Sequence, residues 1–242
     1  CINTDSVKII VNSLPVVIIS QDTELCIGDS TQLSASGGII YSWLPADSLT
    51  DDSIFNPIAF PADTTTYIVT VTDANNCVNK DSVKVEVNPL PSNILGNDLD
   101  LCKGDSIQLF ATGGNNYSWT PTDSLDNPNI NNPVAFPSDT TMYIVTVVDS
   151  NGCVNSDSIT IEVNPIPVVD AGLNDSVCYK DNVQLSASGG DTYLWQPTAG
   201  LSDATIANPM ASPANNIIYY ATITASNNCF NIDSVLITVN PL

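Results

Sequence analysis

Two residue types in this chain have the chemistry and the numbers to build a site: seven cysteines and 23 aspartates. The cysteines stand at positions 1, 26, 77, 102, 153, 178 and 229, with successive gaps alternating between 25 and 51. Evenly paired cysteines with no C-x-x-C read as a disulfide framework rather than a zinc site. The chain has no histidine, which removes Ser-His-Asp and Cys-His catalysis and every imidazole ligand. Arginine is absent as well, so an enzyme would need a carboxylate pair of the glycosidase kind. The aspartates lie in turn contexts and no such pair stands out. The chain therefore reads as non-enzymatic, without catalytic residues or an organic cofactor.

Calcium is the one ligand the aspartates suggest, because it takes carboxylate, amide and backbone oxygens. Asp29, Asp105 and Asp181 recur before one run of alternating residues, and Asp81, Asp157 and Asp233 (with Asp5) before another. Asp73 and Asp149 recur beside Asn75 and Asn151, but Ala225 stands at the third such position. Asp29, Asp105, Asp73, Asp149, Asp81 and Asp157 are thus the candidate calcium ligands. The alternative is that they serve as turn residues and solvated surface. No EF-hand or nonapeptide calcium motif accompanies them.

These residues sit on a repeat. Every second cysteine is 76 residues on, and at that period the chain aligns without an insertion or deletion. Cys26-Ile-Gly-Asp-Ser-Thr-Gln-Leu33 returns as Cys102-Lys-Gly-Asp-Ser-Ile-Gln-Leu109 and Cys178-Tyr-Lys-Asp-Asn-Val-Gln-Leu185. Trp43, Trp119 and Trp195 correspond, as do Tyr67, Tyr143 and Tyr219, and Asn56-Pro57, Asn132-Pro133 and Asn208-Pro209. Repeats are therefore expected at 15–90, 91–166 and 167–242, preceded by residues 1–14, which match 77–90. That segment reads as the last strand of a truncated preceding repeat, with Cys1 unpaired in the fragment.

Within a repeat the apolar period is two, the mark of strands with one buried face. The first repeat predicts strand A at 16–26 (interrupted), B at 30–36, C at 40–44, a short strand near 53–60, F at 66–73 and G at 82–88. Short strands with frequent turns predict an all-β fold, a tandem of immunoglobulin-like β-sandwiches. Trp43, Trp119 and Trp195 are then core residues of strand C. Tyr67, Tyr143 and Tyr219, at the start of strand F, have the place of a tyrosine corner tied to nearby backbone. Lys180 stands where Gly28 and Gly104 do, which predicts a different turn in the third repeat, through Asp181-Asn182.

The pattern C-x-G-D-S-x-Q-L, Y-x-W-x-P, N-P, T-x-Y-x-V-T-V, N-x-C and D-S-V resembles PKD-like, immunoglobulin-like repeats of very large Bacteroidota surface proteins. These include gliding-associated and adhesin-type proteins exported by type IX secretion. The resemblance covers the whole chain, although the W-D-F-G-D-G stretch of standard PKD domains is replaced by Trp43-Leu-Pro-Ala and its counterparts. It implies an extracellular location on a bacterial cell surface.

Two cysteine pairings follow from the spacing. The first closes each repeat on itself: Cys26 with Cys77, Cys102 with Cys153 and Cys178 with Cys229. The second crosses the junctions: Cys26 with Cys153 and Cys102 with Cys229. The objection to the first is topological. In an immunoglobulin-type sandwich the A–B turn and the F–G loop lie at opposite ends, which separates Cys26 from Cys77 by roughly 20 Å, whereas a disulfide needs Cα atoms within about 7 Å.

Between repeats, Asn88-Pro-Leu-Pro91 and Asn164-Pro-Ile-Pro167 join one strand almost directly to the next. Paired prolines favour a stiff connection, and the expectation is a rod on the order of 110 Å for three modules. The formal net charge is -21, which opposes binding to nucleic-acid phosphates or anionic membranes. Nothing is long and apolar enough to predict membrane insertion. The expected partners are adjacent repeats of the same chain, with self-association into a fibre prompted by Ser/Thr/Asn-rich, lysine-poor surfaces. The function expected is a structural segment of an extracellular stalk, fibre or adhesive filament. The alternative is an adhesin module binding a glycan or protein through its end loops, for which Tyr219-Tyr220 and Phe230 are the nearest aromatic candidates.

Overall fold

Alternation at period two becomes strands throughout. The computed structural model describes residues 3–92 and 94–241, and among these there is no helix. Cys1, expected to be unpaired, lies outside the described residues.

The first repeat contains β1 (Ile18–Ile19), β2 (Thr23–Cys26), β3 (Thr31–Gln32), β4 (Ala35–Ser36), β5 (Ile40–Leu44), β6 (Ile58–Ala59), β7 (Thr65–Thr72) and β8 (Val78–Asn88). One sheet has the order β2-β8-β7-β5. Its outer strand β2 runs parallel to β8, from Thr23 opposite Val85 to Cys26 opposite Asn88. The facing layer is built from short pairs, β1 with β4 and β3 with β6. Leu33, Ala35, Trp43, Ala59, Tyr67, Val69, Val71, Val83 and Val85 fill the space between the layers. This is a β-sandwich, and its core residues are the period-two positions of both layers.

The second repeat contains β9 (Leu99–Cys102), β10 (Ile107–Gln108), β11 (Asn116–Thr120), β12 (Val134–Ala135), β13 (Thr141–Val148) and β14 (Val154–Asn164). The third contains β15 (Asp175–Cys178), β16 (Val183–Gln184), β17 (Thr192–Gln196), β18 (Met210–Ala211), β19 (Ile217–Thr224) and β20 (Phe230–Asn240). Their four-stranded sheets repeat the first order, β9-β14-β13-β11 and β15-β20-β19-β17. The chain is thus a tandem of immunoglobulin-like β-sandwiches. Its contacts divide it into two compact units: Cys1–Ile94 with Ala111–Ser118 and Val145–Asp157, and Leu95–Phe110 with Trp119–Ile144 and Ser158–Leu242.

The residues that repeat in sequence each have a structural task. Trp43, Trp119 and Trp195 are fully buried, and each indole Nε1 donates to a carbonyl eleven residues on, that of Ile54, Ile130 or Ile206. Burying the ring while satisfying its one donor is the condition for a core tryptophan. The Gln32 and Gln108 side chains donate to the Asn56 and Asn132 carbonyls at 3.4 and 3.2 Å, and Gln184 donates to that of Asn208. This accounts for the glutamine and the Asn-Pro recurring 24 residues apart. Asn79, Asn155 and Asn231 donate to the carbonyls of Pro15, Pro91 and Pro167, tying strand β8 and its counterparts to the entry of the same repeat.

Several expectations are corrected. Strand G begins at Val78, not 82, because β7 and β8 stay paired up to Thr72 and Val78. The added residues, Val78 to Asp81, carry no apolar alternation: Val78, Lys80 and Asp81 are exposed, and the half-buried Asn79 is polar. Strand B breaks into β3 and β4, which pair with different partners. The strand expected near 53–60 is only Ile58–Ala59. The tyrosine corners are not uniformly tied to backbone. The Tyr67 hydroxyl meets Ser48 Oγ at 2.5 Å, while that of Tyr143 donates to Ser124 Oγ at 2.9 Å and also reaches the Ser124 carbonyl at 3.5 Å. Gly200 occupies that position in the third repeat, and there Tyr219 donates to the Ala199 carbonyl at 2.9 Å.

Residues 3–14 are in no strand. Val7 and Ile9 are exposed, whereas their counterparts Val83 and Val85 are buried. A strand of this kind needs a flanking strand on each side, as β2 and β7 flank β8.

Candidate functional site

The site is the junction between repeats, and its reactive atoms are cysteine sulfurs. Cys26 is the last residue of β2, opposite Asn88 at the end of β8. Next to it, the Ile27 amide donates to the Asn88 carbonyl at 2.9 Å and the Asp29 amide to the Cys26 carbonyl at 3.0 Å, closing the A–B turn. Gly28 makes that turn with a φ of 93°, a conformation in which a Cβ is costly. Cys26 is therefore fixed at the edge where the chain leaves the repeat through Pro89-Leu-Pro91.

Cys153 belongs to the F–G loop of the second repeat. One Asp149 oxygen accepts hydrogen bonds from the amides of Asn151 and Cys153, both at 2.9 Å. The Asp149 amide donates to the Cys153 carbonyl at 3.1 Å. The side chain of Cys153 is fully buried. It is bonded to Cys26, with Cα atoms 5.5 Å apart. The second junction repeats this: Cys102 is bonded to Cys229, with Cα atoms 5.6 Å apart. Each bond spans 127 residues.

The within-repeat pairs Cys26–Cys77, Cys102–Cys153 and Cys178–Cys229 are thereby corrected. The reason is the length of strand β8. Cys26 lies beside Asn88, while Cys77 directly precedes Val78, eleven residues away along the strand. At about 3.3 Å per residue that is roughly 35 Å, far beyond the reach of a disulfide. Cys77 and Cys178 remain as thiols, one half-buried and one exposed.

The third repeat reaches the same geometry by different residues. Lys180 makes its A–B turn with a φ of 75°, and the Asp181 amide still donates to the Cys178 carbonyl, at 2.9 Å. The expectation of a different turn is corrected: the backbone is kept and a side chain is carried in the left-handed region. In the F–G loop Ala225 replaces the aspartate. Asn227 Oδ1 takes over, accepting from the Cys229 amide at 3.1 Å, while its Nδ2 donates to the Pro165 carbonyl at 3.3 Å. Asn227 and Asn228 line a cavity of about 440 Å³ together with Asp100, Cys102, Glu162 and Asn164.

The aspartates proposed for calcium are engaged locally. Asp73 and Asp149 hold the amides of their own loops, and Asp81 accepts from the next amide, that of Ser82. Asp29 and Asp105 close turns and are exposed. Asp157 has an interaction of its own. Among the described residues no three acidic or cysteine side chains are arranged to hold a metal ion. Elsewhere, Asp51 and Asp203 work the same way: hydrogen bonds from the side chain and then the amide of Ser53, or of Thr205, hold each carboxyl below its usual range. Of the aromatic candidates, Tyr219 is fully buried, while Tyr220 and Phe230 are exposed. Tyr220 lies opposite Ser234 and Phe230 opposite Thr224, too far apart along the sheet to form one stacking platform.

Neither a family model nor a curated protein matches the chain. Solved structures similar to it are themselves tandem arrays. A three-domain immunoglobulin segment of titin has 11% identity and a TM-score of 0.41, covering 94% of this chain and 100% of that one. The three N-terminal domains of the Hoc outer capsid protein of bacteriophage RB49 have 15% identity and a TM-score of 0.44, covering 94% and 99%. The eight N-terminal immunoglobulin domains of Down Syndrome Cell Adhesion Molecule have 12% identity and a TM-score of 0.38, covering 93% and 35%. All three scores are low, and the immunoglobulin-like fold rests on the chain's own strand order and core.

Proposed function

We propose that this chain is an architectural segment of a long extracellular stalk, fibre or adhesive filament on a bacterial cell surface, with no enzymatic activity. The observation that carries this reading is the pair of cystines that cross successive repeat junctions. Disulfides form and persist in oxidising compartments, which supports an extracellular place. A bond closing one module protects only that module, whereas these tie each repeat to the next. The residues that recur at 76-residue spacing serve the core, the turns and the entry of each repeat. The resemblance to PKD-like repeats of Bacteroidota surface proteins points the same way, toward gliding-associated or adhesin-type proteins exported by type IX secretion.

Covalent topology gives the test. With both cystines closed, the shortest covalent path from residue 3 to residue 241 crosses both bonds and contains about 90 residues. Single-molecule pulling of the oxidised chain should therefore end near 300 Å at about 3.4 Å per residue. After reduction the limit should rise to about 800 Å. An oxidised chain that extends to the reduced limit would contradict the reading.

A further inference from the structure

The four-stranded sheet of each repeat has a second face, turned away from the core, whose positions alternate with the buried ones. In the first repeat the outward positions include Glu24, Lys80, Lys84 and Glu86, and in the second Asp100 and Glu162. In the third repeat the same positions hold Ser176, Ile232, Leu236 and Thr238. No outward position of β15, β17, β19 or β20 carries a charge.

The loss of charge comes with apolar exposure. Leu194, Ile218, Tyr220, Phe230 and Ile232 all point outward, and each is between 43% and 58% exposed. Leu194 and Ile232 flank Thr222 on neighbouring strands, and Ile218 lies opposite Leu236. With about 4.8 Å between strands and about 7 Å between alternate residues, these side chains form one continuous patch. Ile68 and Ile144 are exposed on the same faces of the first and second repeats, each of which is followed by another repeat. The exposure therefore belongs to the sheet and not to its place in the chain.

We propose that this neutral sheet face of the third repeat is a contact through which two copies of the chain associate face to face. Charge selects the second copy as the occupant. A chain of formal net charge -21 repels its own copies. A face without charge is where that repulsion is weakest and where no ionised group has to be desolvated. A cationic partner would find its attraction elsewhere, on the acidic surfaces. A twofold contact also has to be self-complementary, because each copy presents the same patch. This one is: apolar groups match apolar groups, and the hydroxyls of Thr222, Thr224 and Ser234 can each donate and accept.

Strand spacing and rise give the face an area of roughly 450 Å², or about 900 Å² for the pair, below the roughly 1,200 Å² at which stable complexes begin. The dimer is thus weak and fills at high local concentration. It stands apart from the cystine reading of the junctions: a chain that stays monomeric with both cystines intact would refute this contact alone.

Sedimentation equilibrium of the oxidised full chain, its thiols capped with iodoacetamide, reads the contact at concentrations up to about 1 mM, as an interface of this size requires. The expected result is a monomer–dimer equilibrium that stops at the dimer, because a twofold contact closes on itself. It should tighten when sodium chloride screens the net charge. Ile232→Lys should weaken the dimer at least about tenfold with the melting temperature unchanged, since the first repeat carries Lys80 at that position. Ser156→Lys puts the same charge at the equivalent position of the second repeat and should leave the dimer as it was. A monomer at every concentration would overturn the proposal. So would a dimer that loosens with salt, assembly beyond the dimer, or equal weakening by the two variants.

Discussion

The first and third repeats are built on one scaffold and differ in opposite ways at their ends. In the first, the A–B cysteine Cys26 is bonded and the F–G cysteine Cys77 is a thiol; in the third, Cys229 is bonded and Cys178 is a thiol. The order of the four-stranded sheet is identical, and so are the backbone hydrogen bonds that close the turn at each cysteine. What distinguishes a bonded cysteine from a free one is therefore the neighbouring repeat, not the repeat that carries it. Smaller differences show the scaffold tolerating substitution. Gly28 becomes Lys180 with φ still positive. Ser48 becomes Gly200, and the buried tyrosine hydroxyl shifts from a serine oxygen to a backbone carbonyl.

The largest expected effect breaks this comparison at the cysteines. Cys153→Ser removes one cystine that spans 127 residues, for which the chain-entropy model gives about 5 kcal/mol. Cys77→Ser, at the equivalent position of the first repeat, should change the melting temperature hardly at all. Calorimetry of both variants under oxidising conditions checks this, and equal losses would mean that Cys77 is bonded too.

A middle-sized effect sharpens the comparison at the turn. A non-glycine residue in the left-handed region costs about 1–2 kcal/mol, partly offset by the greater freedom of glycine in the unfolded chain. Lys180→Gly should therefore stabilise the third repeat by up to about 1 kcal/mol. Gly28→Ala should destabilise the first by about 1 kcal/mol, through φ alone, since nothing lies within 4 Å of an added Cβ there. Denaturant midpoints read both, and a stabilising Gly28→Ala would contradict the turn geometry.

The smallest effect concerns Tyr219, whose burial pushes its phenol above the usual value of 10.0. A folded-state pKa raised above the unfolded one gives stability that is complete below the unfolded value and lost as pH rises through the folded one. Unfolding of the oxidised chain should therefore steepen above pH 10, and Tyr219→Phe should flatten that limb. An unchanged alkaline limb would mean that the hydroxyl is solvated in the folded state.

Much of the fold was legible from period-two alternation, because each strand has one buried face and the core tryptophans and tyrosines lie on it. The start of strand G was not legible, since residues 78–81 bury no apolar side chain and so leave no alternating signal. Nor was the break in strand B, where Thr31–Gln32 and Ala35–Ser36 pair with different strands. The cysteine spacing allowed two pairings, and only the distance along β8 separates them. The third-repeat turn was not legible because Lys180 takes the left-handed backbone of Gly28 and Gly104 in spite of a cost of about 1–2 kcal/mol. The loop aspartates were legible as turn residues or as calcium ligands; in the structure Asp73 and Asp149 bind their own amides.

The central claim is that the cystines join repeats rather than close them. Digestion of the oxidised, alkylated chain with an aspartate-directed protease, followed by mass spectrometry without reduction, tests it directly. The account predicts the Cys26 peptide joined to that of Cys153 and the Cys102 peptide joined to that of Cys229, with Cys77 and Cys178 alkylated. Recovery of Cys26 joined to Cys77, or of Cys178 joined to Cys229, would contradict it.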